Sequence, residues 1–189
     1  MLDLGGIGKG YASDVVQKTL LTYDISAALI NLGGNVAVLG PKEDGTPWKI
    51  GIADPNAPDP NAPDPNAPDA YLGVVSGTDI SVITSGGYER FFTQNGTTYI
   101  HIMDPATGKP VQSDLISVSI VTADGVQGDC LSTALFVMGK DKAIAYWQNH
   151  PDFACILVTT SHEIFASKEL KDSFTLADPN SAYKLTFFE

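Results

Sequence analysis

Apolar residues return at two different spacings along the chain, and the switches between them mark out its elements. Over residues 11–23, Tyr11, Val15 and the Thr19/Leu20 step keep a helical interval while Asp14, Gln17 and Lys18 are left to face water. Over residues 128–139, Leu131, Leu135 and Met138 do the same, no Pro interrupts the run, and Gly139 is the stop expected past a last turn. A third helix is predicted over residues 141–148, closed by His150-Pro151. Short apolar or alternating runs predict strands at 27–32, 36–39, 48–53, 72–76, 80–84, 91–94, 97–101, 116–122, 154–159 and 163–166. Gly33-Gly34 and Asn95-Gly96 supply the positive φ that two-residue hairpin turns need, and Asp104-Pro105 with Gly108 predicts a rigid turn. Strands arriving in hairpins, with helices between groups of them, predict a single α+β domain with a mainly antiparallel mixed sheet.

One stretch has neither spacing. Asp54-Pro55-Asn56-Ala57-Pro58 is repeated at 59–63 and 64–68 and ends at Asp69. Pro at that density removes backbone donors, so residues 54–69 are expected to be an exposed loop insertion. The tail offers one further apolar pair, Phe187-Phe188.

Composition narrows the functional classes. The chain has 189 residues, 43% hydrophobic and 17% charged, which is enough for a real core. Eleven basic against 22 acidic side chains give a net charge of -11, which argues against binding a nucleic-acid backbone. An anionic substrate therefore needs a local device, a metal or exposed backbone amides, to overcome the general field. No apolar run of about 18 residues predicts a spanning helix, and no basic-then-apolar leader opens the chain, so any export signal is expected outside it. Cys130 and Cys155 lie far apart in apolar settings and are read as buried free thiols.

The candidate chemistry starts at Asp129 and Thr133. They stand at i and i+4 of the 128–139 helix, so both oxygens project from one face, and hard oxygens at that spacing suit Mg2+. The competing reading is structural: Asp129 caps the helix and Thr133 bonds back to a carbonyl one turn earlier. Near the start, Gly5, Gly6, Gly8 and Gly10 lead into the first helix, a layout that presents backbone N–H groups to an anion or simply makes a tight, closely packed turn. Asn31 and Asn35 are expected to hold their loop by side-chain to backbone bonds, Glu89 and Arg90 to form a buried ion pair or brace a sheet edge, with substrate contact as the other reading, and His150 and His162 to lie on the surface.

Four separated segments together resemble the FAD:protein FMN transferase (ApbE-type) family. They are Asp3-Leu4-Gly5-Gly6-Ile7-Gly8-Lys9-Gly10-Tyr11, Ile30-Asn31-Leu32-Gly33-Gly34-Asn35, Thr84-Ser85-Gly86-Gly87-Tyr88-Glu89-Arg90-Phe91-Phe92, and His101-Ile102-Met103-Asp104-Pro105 with Asp129-Cys130-Leu131-Ser132-Thr133. The resemblance implies a Mg2+-dependent enzyme that takes FAD, releases AMP and leaves FMN on a Thr or Ser hydroxyl of a partner flavoprotein. It implies FAD contacts for Asp3, Lys9 and Met103, and metal contacts for the Gly6 carbonyl, Asp129, Thr133 and Ser132. His101 becomes the acid/base group, a role that suits a side chain ionising near neutrality, although a structural bond at the hairpin end is the other reading. Relatives commonly act outside the cytoplasmic membrane as anchored lipoproteins, so an extracytoplasmic location is implied too. Two departures stand out: the family's segment ahead of the Asp3 motif is expected to be absent, and Ser132 offers a neutral oxygen where some relatives carry an acid. An FAD pyrophosphatase giving FMN and AMP, a flavin-binding module without catalysis, and an interaction domain resting on the Pro-rich repeat are the alternatives.

Overall fold

The computed structural model describes residues 4–57, 71–88, 90–178 and 182–189. Asp3, Glu89 and most of the Pro-rich repeat therefore lie outside the described residues. The elements run α1 (Gly8–Leu21), β1 (Ala28–Leu32), β2 (Asn35–Leu39), β3 (Trp48–Ala53), β4 (Tyr71–Gly77), β5 (Ser81–Gly86), β6 (Phe91–Gln94) and β7 (Thr97–Ile100). Then follow β8 (Met103–Asp104), β9 (Lys109–Pro110), β10 (Leu115–Thr122), α2 (Gly125–Met138), α3 (Lys140–Asn149), β11 (Ala154–Thr159), β12 (Glu163–Ser167), β13 (Phe174–Leu176) and β14 (Lys184–Phe188).

Seven strands form one sheet in the order β1-β2-β5-β10-β11-β12-β14, and a second sheet has the order β13-β4-β3. Every pairing is antiparallel except β12 with β14. The expected α+β architecture is what forms. The tail carrying Phe187-Phe188, where no strand was predicted, closes the sheet as that parallel edge.

The central strand β10 is buried on both faces, which the simple alternation of residues 116–122 does not suggest. Val118 and Ile120 join Leu135, Phe136, Trp147 and Leu157 in a core under the helices. Val121 joins Val38, Val82, Ile156 and Ile164 in a second core, against Ile50, Ile52, Leu72, Val75 and Phe174 of the smaller sheet. Ser119 belongs to this second face too, and its hydroxyl meets that of Thr84 across the strands at 2.7 Å.

Two helix starts differ from expectation. α1 begins at Gly8, so Gly8 and Gly10 lie inside it rather than in a loop ahead of it. α2 begins at Gly125, and its N-cap is Asp124, whose carboxylate accepts from the Gln127 N–H at 2.8 Å. Asp129 is thus an interior residue of α2 and does not cap it. No described helix is long and apolar enough to cross a membrane.

Candidate functional site

α2 lies against β5 and β10 with Asp129, Ser132 and Thr133 on its inner side, and α1 crosses it. The crossing is closest at two glycines. A Cβ on Gly10 would stand 2.0 Å from the Gly125 carbonyl oxygen, and one on Gly125 would stand 2.6 Å from the Gly10 oxygen, so only glycine fits either place. Asp14, expected to face water, instead turns into this crossing. Its two oxygens accept from the N–H groups of Gly125 (2.8 Å) and Val126 (3.2 Å). Together with Asp124 it satisfies the free amides at the start of α2 and neutralises that helix end.

The same close approach brings the Gly10 N–H to Asp129. Oδ2 accepts from it at 2.5 Å, and Oδ1 accepts from the Asn35 side-chain amide at 2.6 Å. The amide that a continuing helix would give to the Gly6 carbonyl is therefore spent on a carboxylate 119 positions away. Among the described residues no backbone N–H bonds the Gly6 oxygen. Asn35 thus has a larger role than holding its loop. Asn31 does hold the loop, accepting from the Gly34 N–H at 3.0 Å, across a turn in which Gly33 and Gly34 both have positive φ.

Three hydroxyls complete the arrangement. Ser132 Oγ donates to the Asp129 carbonyl at 3.1 Å, Ser85 Oγ lies 2.9 Å from Ser132 Oγ, and Thr133 Oγ1 lies 3.2 Å from Ser85 Oγ. A carbonyl only accepts, so all three contacts are satisfied together in one direction. Thr133 donates to Ser85, Ser85 to Ser132, and Ser132 to the helix backbone. The Thr133 proton is then occupied and its lone pairs are left for a ligand. Ser132 is buried and does not line the cavity described next; its hydroxyl braces α2 to β5. Ser85 was not singled out from sequence, although it stands in the Thr84-Ser85-Gly86-Gly87 segment two positions from the inward-facing Ile83.

A cavity of about 620 Å3 opens at this wall, lined by Gly6, Ile7, Met103, Asp129, Thr133 and Val137 among others. Cys130 lines it too and is exposed, which corrects its reading as a buried thiol; Cys155 is buried as expected. Burial first, and then the charges of Asp129 and Asp124, raise the Cys130 pKa and keep it a thiol. Asp129 is 6% exposed and takes part in none of the ion pairs of the described residues. A buried carboxylate without a cationic side chain, beside a hydroxyl with free lone pairs and a released main-chain carbonyl, is a set of hard oxygens that fits Mg2+. No cluster of three or more His, Cys, Asp or Glu side chains forms among the described residues, so any ion here would retain much of its own water or take substrate oxygens.

Of Lys9, Met103 and His101, only Met103 lines this cavity. Lys9 Nζ reaches the Gly33 carbonyl at 3.4 Å, tying α1 to the β1–β2 turn. Met103 is half exposed on the cavity rim. His101 is outside the lining, at the end of β7, where its backbone N–H and its Nδ1 both point to the Arg90 carbonyl at 3.1 and 3.2 Å. That carbonyl can only accept, so the contact requires the proton on Nδ1, and in the neutral ring Nε2 is then the nitrogen with the free lone pair. Arg90 itself is exposed, and Glu89, the other half of the expected ion pair, lies outside the described residues.

Comparison with known proteins gives the family. The family model described as the ApbE family matches residues 1–157. The chain belongs to the ApbE family. It is 37% identical over 177 residues to the FAD:protein FMN transferase of Klebsiella pneumoniae, covering 94% of this chain and 51% of the relative. It is 36% identical over 185 residues to that of Treponema pallidum, covering 94% and 49%. The ApbE protein of Thermotoga maritima superposes with a TM-score of 0.78 at 36% identity, covering 90% of this chain and 52% of the other. The flavin transferase ApbE of Vibrio cholerae gives 0.75 at 28%, covering 91% and 52%. The chain spans about half the length of the curated relatives it matches.

Proposed function

We propose that this ApbE-family chain transfers the FMN moiety of FAD to a threonine or serine hydroxyl of a partner flavoprotein, with Mg2+ and with release of AMP. The observation that carries this reading is the wall shared by Gly6, Asp129 and Thr133, residues brought to one cavity from segments more than a hundred positions apart. Relatives bearing the name FAD:protein FMN transferase support it. Gly6, Asp129 and Thr133 hold the ion, which when bound supplies positive charge to the pyrophosphate oxygens of FAD. Lys9, whose Nζ reaches the Gly33 carbonyl, is an FAD contact by resemblance, and Met103 on the cavity rim gives the flavin an apolar edge. Asp3 remains an FAD contact by resemblance alone.

In the reaction the acceptor hydroxyl oxygen forms a bond to the FMN phosphorus as the bond to the AMP oxygen breaks. His101 Nε2 takes the hydroxyl proton, its ring fixed by the bond from Nδ1 to Arg90. The test is incubation with FAD, Mg2+ and a flavoprotein acceptor, reading covalent flavin fluorescence on the acceptor and AMP in solution. Labelling that needs the metal and falls about 100-fold in His101→Ala is the expected result. AMP released at the same rate with and without acceptor would assign FAD hydrolysis instead. FAD binding with neither product would leave a binding module.

A further inference from the structure

His101 is exposed, so a macromolecular hydroxyl has to reach it from the surface, and the surface that adjoins it is the hairpin of β6 and β7. Among the described residues this hairpin pairs with no other strand, and β6 is exposed along its whole length. Phe91 and Phe92 stand 58% and 59% exposed there. The register gives the hairpin two distinct faces. Phe92 and Tyr99 are partners and stack on one face with ring centroids 5.1 Å apart, whereas Phe91 pairs with Ile100, and Thr98 points to the same side as these two. That second face roofs a recess of about 390 Å3, whose floor includes Gly87, Val111, Leu115 and Phe136.

We infer that this recess is where the acceptor polypeptide docks, with an apolar side chain of the segment that carries the target hydroxyl seated under Phe91, Thr98 and Ile100. The inference rests on the proposed transfer for the nature of the occupant. Its location follows from the hairpin, which runs from the recess to His101 within three residues of Thr98. An apolar anchor matches the recess because its floor is aliphatic and aromatic, and burying one leucine-sized side chain there removes from water both that side chain and the floor beneath it. A macromolecular substrate also accounts for Phe91, left exposed on the recess face of a strand pair that no other described strand joins.

The test uses the full chain labelled with 15N and two blocked peptides, acetyl-Gly-Leu-Gly-Thr-Gly-amide and its counterpart with Ser in place of Leu. Saturable shifts of the Gly87, Thr98 and Ile100 amides are expected, with the leucine peptide bound at least five-fold more tightly. Thr98→Trp, which fills the recess from an exposed strand position, removes that preference, and Thr98→Ala, which leaves it open, keeps it. Shifts confined to α1, equal affinity for the two peptides, or an unchanged preference in Thr98→Trp overturn the inference. So does dimerisation through this face, read as a concentration-dependent sedimentation coefficient that Thr98→Trp abolishes. Because peptide binding is read without FAD, a failure of flavin transfer appears separately, as absence of FMN on the acceptor.

Discussion

Helices α1 and α2 have the same length and opposite attachments. α2 is held by packing: Leu135 and Phe136 are buried in the core beneath it, and its first amides are capped by Asp124 and Asp14. α1 has no side-chain cap, and Tyr11, Val15, Val16 and Leu21 on it are exposed. What ties α1 down is the glycine crossing, the Asp14 carboxylate and the single Gly10 N–H on Asp129. The difference teaches that the two halves of the site are unequally anchored. The carboxylate and hydroxyl come from a rigid helix, whereas the Gly6 carbonyl is positioned through contacts that are themselves part of the site.

The strongest way to break this asymmetry is at Asp129. Asp129→Ala removes the only carboxylate of the cavity wall among the described residues and leaves the Gly10 N–H and the Asn35 amide without their partner. Metal-dependent labelling is expected to fall below detection. Stability should also fall, by about 1–3 kcal/mol for each donor stranded away from water, measured as a urea midpoint. A variant that keeps its metal dependence would remove Asp129 from the site. Gly10→Ala comes next. Its methyl has backbone as neighbour, which cannot rotate aside, so α1 must lift from α2 at a cost of about 3 kcal/mol. Amide exchange in α1 should then accelerate far more than in α2. Equal acceleration in both helices would mean that α1 is as firmly anchored as α2. Ser85→Ala is the gentler cut, about 1 kcal/mol, because it breaks the chain of hydroxyls without opening the helix crossing. Freed from Ser85, the Thr133 proton is able to rotate toward the cavity, so Mg2+ affinity by calorimetry should weaken while Asp129 still binds.

The legible parts of the molecule are those whose cause is local. Helix and strand periodicities gave most elements to within a few residues, and Gly33-Gly34 and Asn95-Gly96 placed two hairpin turns because positive φ has a short-range signature. β14 was missed because it pairs in parallel with β12, and a parallel partner leaves no turn signal between neighbours. In the site, Asp129 and Thr133 were visible as an i, i+4 pair. Asn35, Asp14 and Ser85 were not assigned to it, since each acts on a residue 47 to 111 positions away, and spacing carries no trace of that. Cys130 was misread for a related reason: an apolar neighbourhood along the chain does not tell which side of the helix meets the cavity.

The smallest effect is the sharpest test of the weaker helix. Tyr11 is 63% exposed on the outer side of α1, where its ring contributes little to the core of this chain. Tyr11→Ser should therefore shift the urea midpoint by less than about 0.5 kcal/mol, the usual range for a surface change. It touches neither the glycine crossing nor Asp14, so amide exchange in α1 should stay as it was. A loss above about 1 kcal/mol would show that the outer face of α1 is covered in solution, and its dependence on protein concentration would then say by what. If the loss grows with concentration, the cover is a second copy of the chain, and α1 is anchored from outside as firmly as α2 is from within.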